Sequence, residues 1–176
     1  MKNKRVFKLA LAGLFASLAT ITFTLESLFP PIIIPGARMG LSNVFILLSA
    51  LTLGYGYGVT VLAVKTILGS LFSGNISALM YSLPSGLIAL TVQILLFYNI
   101  KHVSLLAVSV LGAVVNIVFQ NIVFCLITKT IEYLAYSPYL ALVGVISGLV
   151  VGLCVYMVIK KLPKGLFQYN IKGEKN

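Results

Sequence analysis

The sequence predicts an all-α integral membrane protein, a single bundle of six transmembrane helices. The first reason is composition, since 60% of the 176 residues are hydrophobic and the mean hydropathy is +1.08. This is more hydrophobic than the composition of an ordinary soluble domain. The second is the run from Val103 to Thr128, which carries no charge and is long enough to cross a ~30 Å hydrocarbon layer. The third is that most Lys and Arg lie in the two tails and one short loop. Positive residues at these places are typical of cytoplasmic loops, so we expect a multi-pass membrane protein with both termini in the cytoplasm.

The six helices are expected within one membrane domain that covers residues 1–176. The first follows a basic segment and lacks a small-residue cleavage site, so we expect a retained helix rather than a signal peptide. It should end at the prolines of residues 30–35, because proline lacks the N–H that a helix interior needs. The glycines of "GYGYG", residues 54–58, should form a tight turn between two short spans, since one long span would separate the two basic tails. Pro84 suits a helix start or a kink. The predicted helices cover residues 6–29, 41–55, 59–72, 80–98, 103–127 and 139–159.

Several function classes are excluded by what the sequence lacks. It has no aspartate, and its three acids are Glu26, Glu132 and Glu174, so it cannot form the carboxylate cluster that holds magnesium in enzymes that ionise a diphosphate. It has no Gly-x4-Gly-Lys-Ser/Thr phosphate loop. Both cysteines lie in apolar runs and the one histidine is His102 in a loop, so we expect no metal and no cofactor. The basic residues form no stripe among aromatics, which argues against nucleic-acid binding. We therefore expect no autonomous catalysis.

Polar residues within or beside the apolar runs form the predicted ligand site. Lys65 lies near mid-height of the third helix, where a lysine is costly in lipid; it either serves a function or pairs with a neighbour. Asn116 and Gln120 are four residues apart and share a helix face, which points either to a ligand cavity or to another helix. Gln93 lies deeper and is expected to be structural. The predicted ligand-binding residues are Glu26, Arg38, Asn43, Lys65, Asn116, Gln120, Asn121 and Lys129.

An arginine stands out in the first outer loop, "PPIIIPGARMGLSNV", residues 30–44. Arg38 has a glycine close by on each side, which lets backbone approach a ligand closely. The planar guanidinium suits a carboxylate or a phosphate. The alternative is a salt bridge from Arg38 to Glu26 that fixes the loop.

The first helix carries a stripe of small residues in "ALAGLFASLAT". Ala12 and Ala16 are four residues apart, as are Gly13 and Ser17. Small residues at this spacing let another helix pack closely. The stripe either packs inside the bundle or docks a partner protein, and the predicted docking residues are Ala12, Gly13 and Ala16.

Taken together, this first helix, the proline-rich loop, "ARMGLSNV" and "GYGYG" resemble the membrane family named heptaprenyl diphosphate synthase component I, also called the Gx transporter family. The resemblance covers nearly the whole chain. That family in turn resembles the S components of energy-coupling-factor (ECF) transporters, which implies a six-helix bundle with an outward pocket capped by the loops after helices 1, 3 and 5. It also implies that the Ala12/Ala16 stripe docks on a transmembrane coupling subunit, which works with two ATPases. Arg38 and Asn43 would lie where the first loop meets the pocket.

Three hypotheses for function follow. The leading one is a subunit embedded in a bacterial inner membrane that captures a small anionic or amphipathic molecule at the outer face for ATP-driven uptake with partner subunits. The alternative is the non-catalytic membrane subunit of heptaprenyl diphosphate synthase, with a soluble, aspartate-rich partner as the catalyst. In that case Arg38, Lys65 and Lys129 would hold the diphosphate head. The third is a scaffold for a membrane complex that binds no ligand.

Overall fold

The computed structural model describes residues 2–28, 40–100 and 103–161. Within these ranges the chain is helical and contains no strand, and six α-helices are present, which confirms the predicted all-α membrane bundle. The helices are α1 (Lys2–Leu28), α2 (Asn43–Leu53), α3 (Tyr55–Phe72), α4 (Ser77–Asn99), α5 (Leu105–Thr128) and α6 (Ser137–Lys161), and a 3₁₀ helix, η1 (Ile131–Tyr136), precedes α6.

Helices that follow one another along the chain run antiparallel. Tyr55 at the start of α3 is hydrogen-bonded to Thr91 late in α4, with 2.9 Å between the hydroxyl oxygens. Leu106 at the start of α5 lies against Gly152 late in α6. The start of α1 and the end of α6 therefore lie at the same end of the bundle, which we call the terminal end. The opposite end, where α1 finishes and α2 begins, is the distal end.

Five helices are long and apolar enough to cross a membrane, and α2 is the exception with 11 residues. It is the central helix: Leu47 and Ala50 are fully buried, and α1, α3, α4 and α6 pack around it. A short helix satisfies its own backbone groups but does not reach across the hydrocarbon layer. Its neighbours therefore shield α2 from lipid.

The turn between α2 and α3 is shorter than the predicted glycine segment. Gly54 alone reverses the chain, with φ 113° and ψ 163°, and α3 begins at the next residue. Gly58 already lies in α3, where a Cβ atom would stand 2.7 Å from the Cβ of Ala50. One glycine thus makes the turn, and another permits close packing of α2 against α3.

The other boundaries differ from the expected ones by a few residues. α1 already begins at Lys2, and α4 begins three residues before residue 80. Pro84 lies inside α4, in its second turn, rather than at the helix start. The connection between α5 and α6 contains η1.

A ladder of three glycines brings α6 against α5. A Cβ atom on Gly148 would lie 2.6 Å from the Cα of Val110, and one on Gly144 would lie 3.0 Å from the Cα of Val114. These contacts are with backbone atoms, which do not move aside as a side-chain end does. A second small-residue stripe therefore lies on α6 and packs within the bundle. It consists of Gly144, Gly148 and Gly152.

Candidate functional site

Three predicted ligand residues meet near the distal end. Lys65 is only 3% exposed, and its Nζ donates a hydrogen bond of 3.1 Å to Asn43 Oδ1. The same ammonium lies 5.2 Å from the ring centroid of Phe23 on α1, within cation–π range. Glu26 Oε1 accepts a hydrogen bond of 3.3 Å from the backbone N–H of Ser42. A carboxylate at this place stabilises the N-terminus of α2, because the N–H groups at a helix N-terminus carry partial positive charge.

The local backbone places Asn43 for this contact. Gly40 has φ +72°, a left-handed conformation that favours glycine, and its carbonyl accepts the N–H of Asn43 at 3.0 Å. A Cβ atom on Gly40 would stand 2.9 Å from Asn43 Nδ2. Arg38 lies outside the described residues, so its role as an anion ligand and its pairing with Glu26 stay predictions.

Asn43 also borders a small interior cavity between α2, α4, α5 and α6. Its polar lining comes from Asn43, Gln93, Ser109 and Asn116. The cavity volume is about 20 Å³, which is room for one water molecule. Gln93 fills the space above Gly112, where a Cβ atom would lie 2.1 Å from Gln93 Nε2. This cavity is too small for a substrate, so it gives no support to a ligand role for Asn116. That role stays a prediction.

The remaining predicted ligand residues lie on the distal half of α5. Asn121 Nδ2 donates hydrogen bonds of 3.0 Å to the Tyr133 carbonyl and to Ser137 Oγ. Both amide hydrogens thus hold η1 and the start of α6, which favours a structural role. Gln120 is 7% exposed, and Lys129 is an exposed residue that ends α5 with φ 55°. The ligand roles of these three residues stay predictions.

A large apolar groove runs along the bundle surface between α1 and α3. These helices are parallel, since Gly69 late in α3 lies against Phe23 late in α1. The groove encloses about 690 Å³, within the range of ligand sites. Ala12 and Ala16 are each 8% exposed and form part of its floor, whereas a Cβ atom on Gly13 would meet no atom within 4 Å apart from the adjoining backbone of its own helix. All three predicted docking residues therefore line one surface, whereas no sequence pattern indicated the facing wall on α3. Their docking role stays a prediction.

The serine and threonine hydroxyls that line the groove already have partners. Each serine or threonine in its lining donates its hydroxyl hydrogen to the carbonyl four residues earlier on its own helix, at 2.8–2.9 Å. These residues are Ser17, Thr20, Thr24 and Thr60. Because the hydroxyl hydrogens are turned back onto the helices, the surface presents mainly hydrocarbon. Such a surface suits an apolar chain or an apolar helix.

Fold and sites together define a multi-pass membrane protein. In the part of the chain that the structure describes, no group of three or more His, Cys, Asp or Glu side chains could hold a metal ion. Residues 15–158 match the family described as heptaprenyl diphosphate synthase component I, and since this is most of the chain, the chain belongs to that family. The family is a non-catalytic component, so the prediction that the chain is not itself the enzyme is confirmed, and catalysis lies in a partner. No curated protein and no solved structure matches the chain. The resemblance to ECF S components stays a prediction.

Proposed function

We propose that this chain is the membrane-embedded subunit of a prenyl diphosphate synthase, and that it holds the amphipathic substrate or product while a soluble partner performs the chemistry. The observation that carries the proposal is the match of residues 15–158 to component I of heptaprenyl diphosphate synthase. The open apolar groove supports it, because the product of such an enzyme ends in a long hydrocarbon chain.

The division of labour follows from the residues. Ionising an allylic diphosphate requires magnesium, which prefers clustered carboxylate ligands. The chain has three acids and no aspartate. The partner must therefore supply the metal site, and this chain supplies a place in the membrane.

The energetic reason for a membrane subunit lies in the product. Moving hydrocarbon from water to an apolar site gains about 0.8 kcal/mol per methylene. A growing isoprenoid chain is therefore increasingly difficult to release from a soluble enzyme into water. A membrane subunit beside the enzyme gives the chain an apolar destination.

Reconstitution with the soluble partner tests this proposal. The aspartate-rich synthase subunit is assayed with liposomes that contain this protein and with protein-free liposomes of the same lipids. We expect faster turnover and longer products only when the protein is present. Equal rates and equal product lengths in both preparations would overturn the proposal.

A second candidate, capture of an outside ligand for ATP-driven uptake, is favoured by the Lys65–Asn43–Glu26 cluster. That cluster lies at the distal end, opposite the start of α1 and the end of α6. If the tails are cytoplasmic, the cluster faces outward, where a product made in the cytoplasm does not arrive. This function requires a coupling subunit and ATPases. Uptake that depends on this chain and is lost in Lys65→Met would support it, and unaltered small-molecule uptake in a deletion strain would reject it.

A further inference from the structure

We propose that the α1–α3 groove holds a prenyl diphosphate, with the isoprenoid chain along the groove and the diphosphate at Arg5 and Lys8. The inference rests on the proposed function and names the site where this subunit would act. It differs from the earlier expectation for the diphosphate head, which placed it at Arg38, Lys65 and Lys129.

The groove offers a long apolar surface for an isoprenoid chain. Its lining on α1 extends from Leu9 to Leu25, which is about 24 Å at 1.5 Å per residue. The floor contains small residues, and the open space at Gly13 leaves room for methyl branches. The serine and threonine hydroxyls of the lining already donate to their own helices, so a hydrocarbon chain that covers them leaves none of these donors without a partner.

Positive charge at one end of the groove suits the diphosphate head. Arg5 precedes Leu9 by four residues and Lys8 precedes Ala12 by four, so both cations continue the groove face of α1 by one turn. The single acid on α1 is Glu26, near the opposite end of the helix. Two cations followed by an apolar groove are complementary to an anionic head followed by an apolar chain, and the guanidinium of arginine can bind phosphate oxygens in pairs.

The cations lie at the end of the bundle where we expect a soluble synthase to deliver its product. This is the terminal end, which we predict to be the cytoplasmic end because basic residues are concentrated in both tails of the sequence. A soluble synthase would deliver its product there. The head would stay at the surface while the chain enters the membrane along α1.

The tail site is tested by filling the groove without disturbing the fold. Gly13→Leu adds a side chain where a Cβ atom meets no neighbour, and Gly56→Leu is the matched control, because Gly56 is equally unobstructed but does not line the groove. Each protein is placed in phosphatidylcholine nanodiscs and photo-crosslinked with heptaprenyl diphosphate that carries a diazirine in its chain. We expect crosslinks in residues 9–25 and 57–72, about tenfold weaker binding in Gly13→Leu, and binding in Gly56→Leu within about twofold of wild type.

The head site is tested with the double variant Arg5→Gln/Lys8→Gln. Competition by unlabelled heptaprenyl diphosphate is compared with competition by the corresponding alcohol. We expect the wild type to prefer the diphosphate by about tenfold or more, and the double variant to lose that preference while it still binds the alcohol. An unchanged preference would overturn the assignment of Arg5 and Lys8.

Two further outcomes overturn the site. Equal competition by phosphatidylglycerol means that the groove holds ordinary anionic lipid. Saturable binding that Gly13→Leu leaves intact means that the prenyl diphosphate binds elsewhere, and the proposed function then survives without this groove. If the protein neither binds the probe nor alters the product of the soluble partner, the proposed function fails as well.

Discussion

The ammonium of Lys65 donates a hydrogen bond of 3.1 Å to the side-chain carbonyl of Asn43. This contact joins the middle of α3 to the first residue of α2 across 22 positions of sequence. It places a buried cation beside an amide oxygen and the ring of Phe23. The pair therefore fixes the start of the central helix, whether or not it also contacts a ligand.

A double-mutant cycle measures this contact. Lys65→Met and Asn43→Leu each remove one partner and keep most of the side-chain volume. We expect a coupling free energy of about 1–3 kcal/mol, as for a hydrogen bond to a charged group. The free energies of unfolding are measured by denaturant titration of the detergent-solubilised protein, followed by far-UV circular dichroism. Additive effects of the two changes would show that the contact contributes nothing to stability.

The glycine ladder of α6 predicts a contrast between two alanine substitutions. Gly148→Ala places a Cβ atom 2.6 Å from the backbone of Val110, whereas Gly13→Ala meets no atom within 4 Å apart from the adjoining backbone of its own helix. Both changes gain similar helix propensity, so their difference isolates the clash. We expect Gly148→Ala to be less stable than Gly13→Ala by about 1–3 kcal/mol in the same unfolding assay. Equal stability would mean that α5 and α6 separate without cost.

The two hydrogen bonds from Asn121 predict that stability falls with the number of these bonds that a substitution removes. Asn121→Leu removes both bonds and should lower the free energy of unfolding by about 1–3 kcal/mol, whereas Ser137→Ala removes one and should cost about 1 kcal/mol. Protease nicking of the segment around η1 should increase in the same order, because that segment loses its tie to α5. An Asn121→Leu protein as stable and resistant as wild type would contradict the structural role of this amide.

The alternating directions of the six consecutive helices predict which segments face the same side of the membrane. Ile131 on η1 is 75% exposed at the distal end, and Asn99 ends α4 at the terminal end. With the two native cysteines replaced, Ile131→Cys should react with a membrane-impermeant maleimide in intact cells, and Asn99→Cys only after the membrane is opened. Labelling of both from outside would rule out this topology.

The helices were predictable because uncharged runs of membrane length leave few alternatives. The α2–α3 boundary was less predictable, because the pattern could not show that Gly54 alone makes the turn while Gly58 serves packing. Turn position here depends on how closely α2 and α3 approach, and that distance belongs to the tertiary structure.

The site was predictable only in part, for a similar reason. Lys65 was conspicuous as a charge at depth, but its partner Asn43 became evident only through the register of α2 against α3. Two small-residue stripes have the same spacing, one on α1 and one on α6, and only the packed structure shows that α6 uses its stripe inside the bundle while Gly13 faces an open groove. Spacing alone indicates that a helix can pack closely, not what packs against it.

The most direct test of the central claim is a gentle-detergent pull-down of the tagged protein from its native membrane. Co-purified proteins are identified by mass spectrometry, and bound small molecules are extracted from the same sample. The proposed function predicts recovery of an aspartate-rich prenyl diphosphate synthase subunit together with a prenyl diphosphate. Recovery of ATPase subunits and a membrane coupling protein, without a synthase, would contradict it.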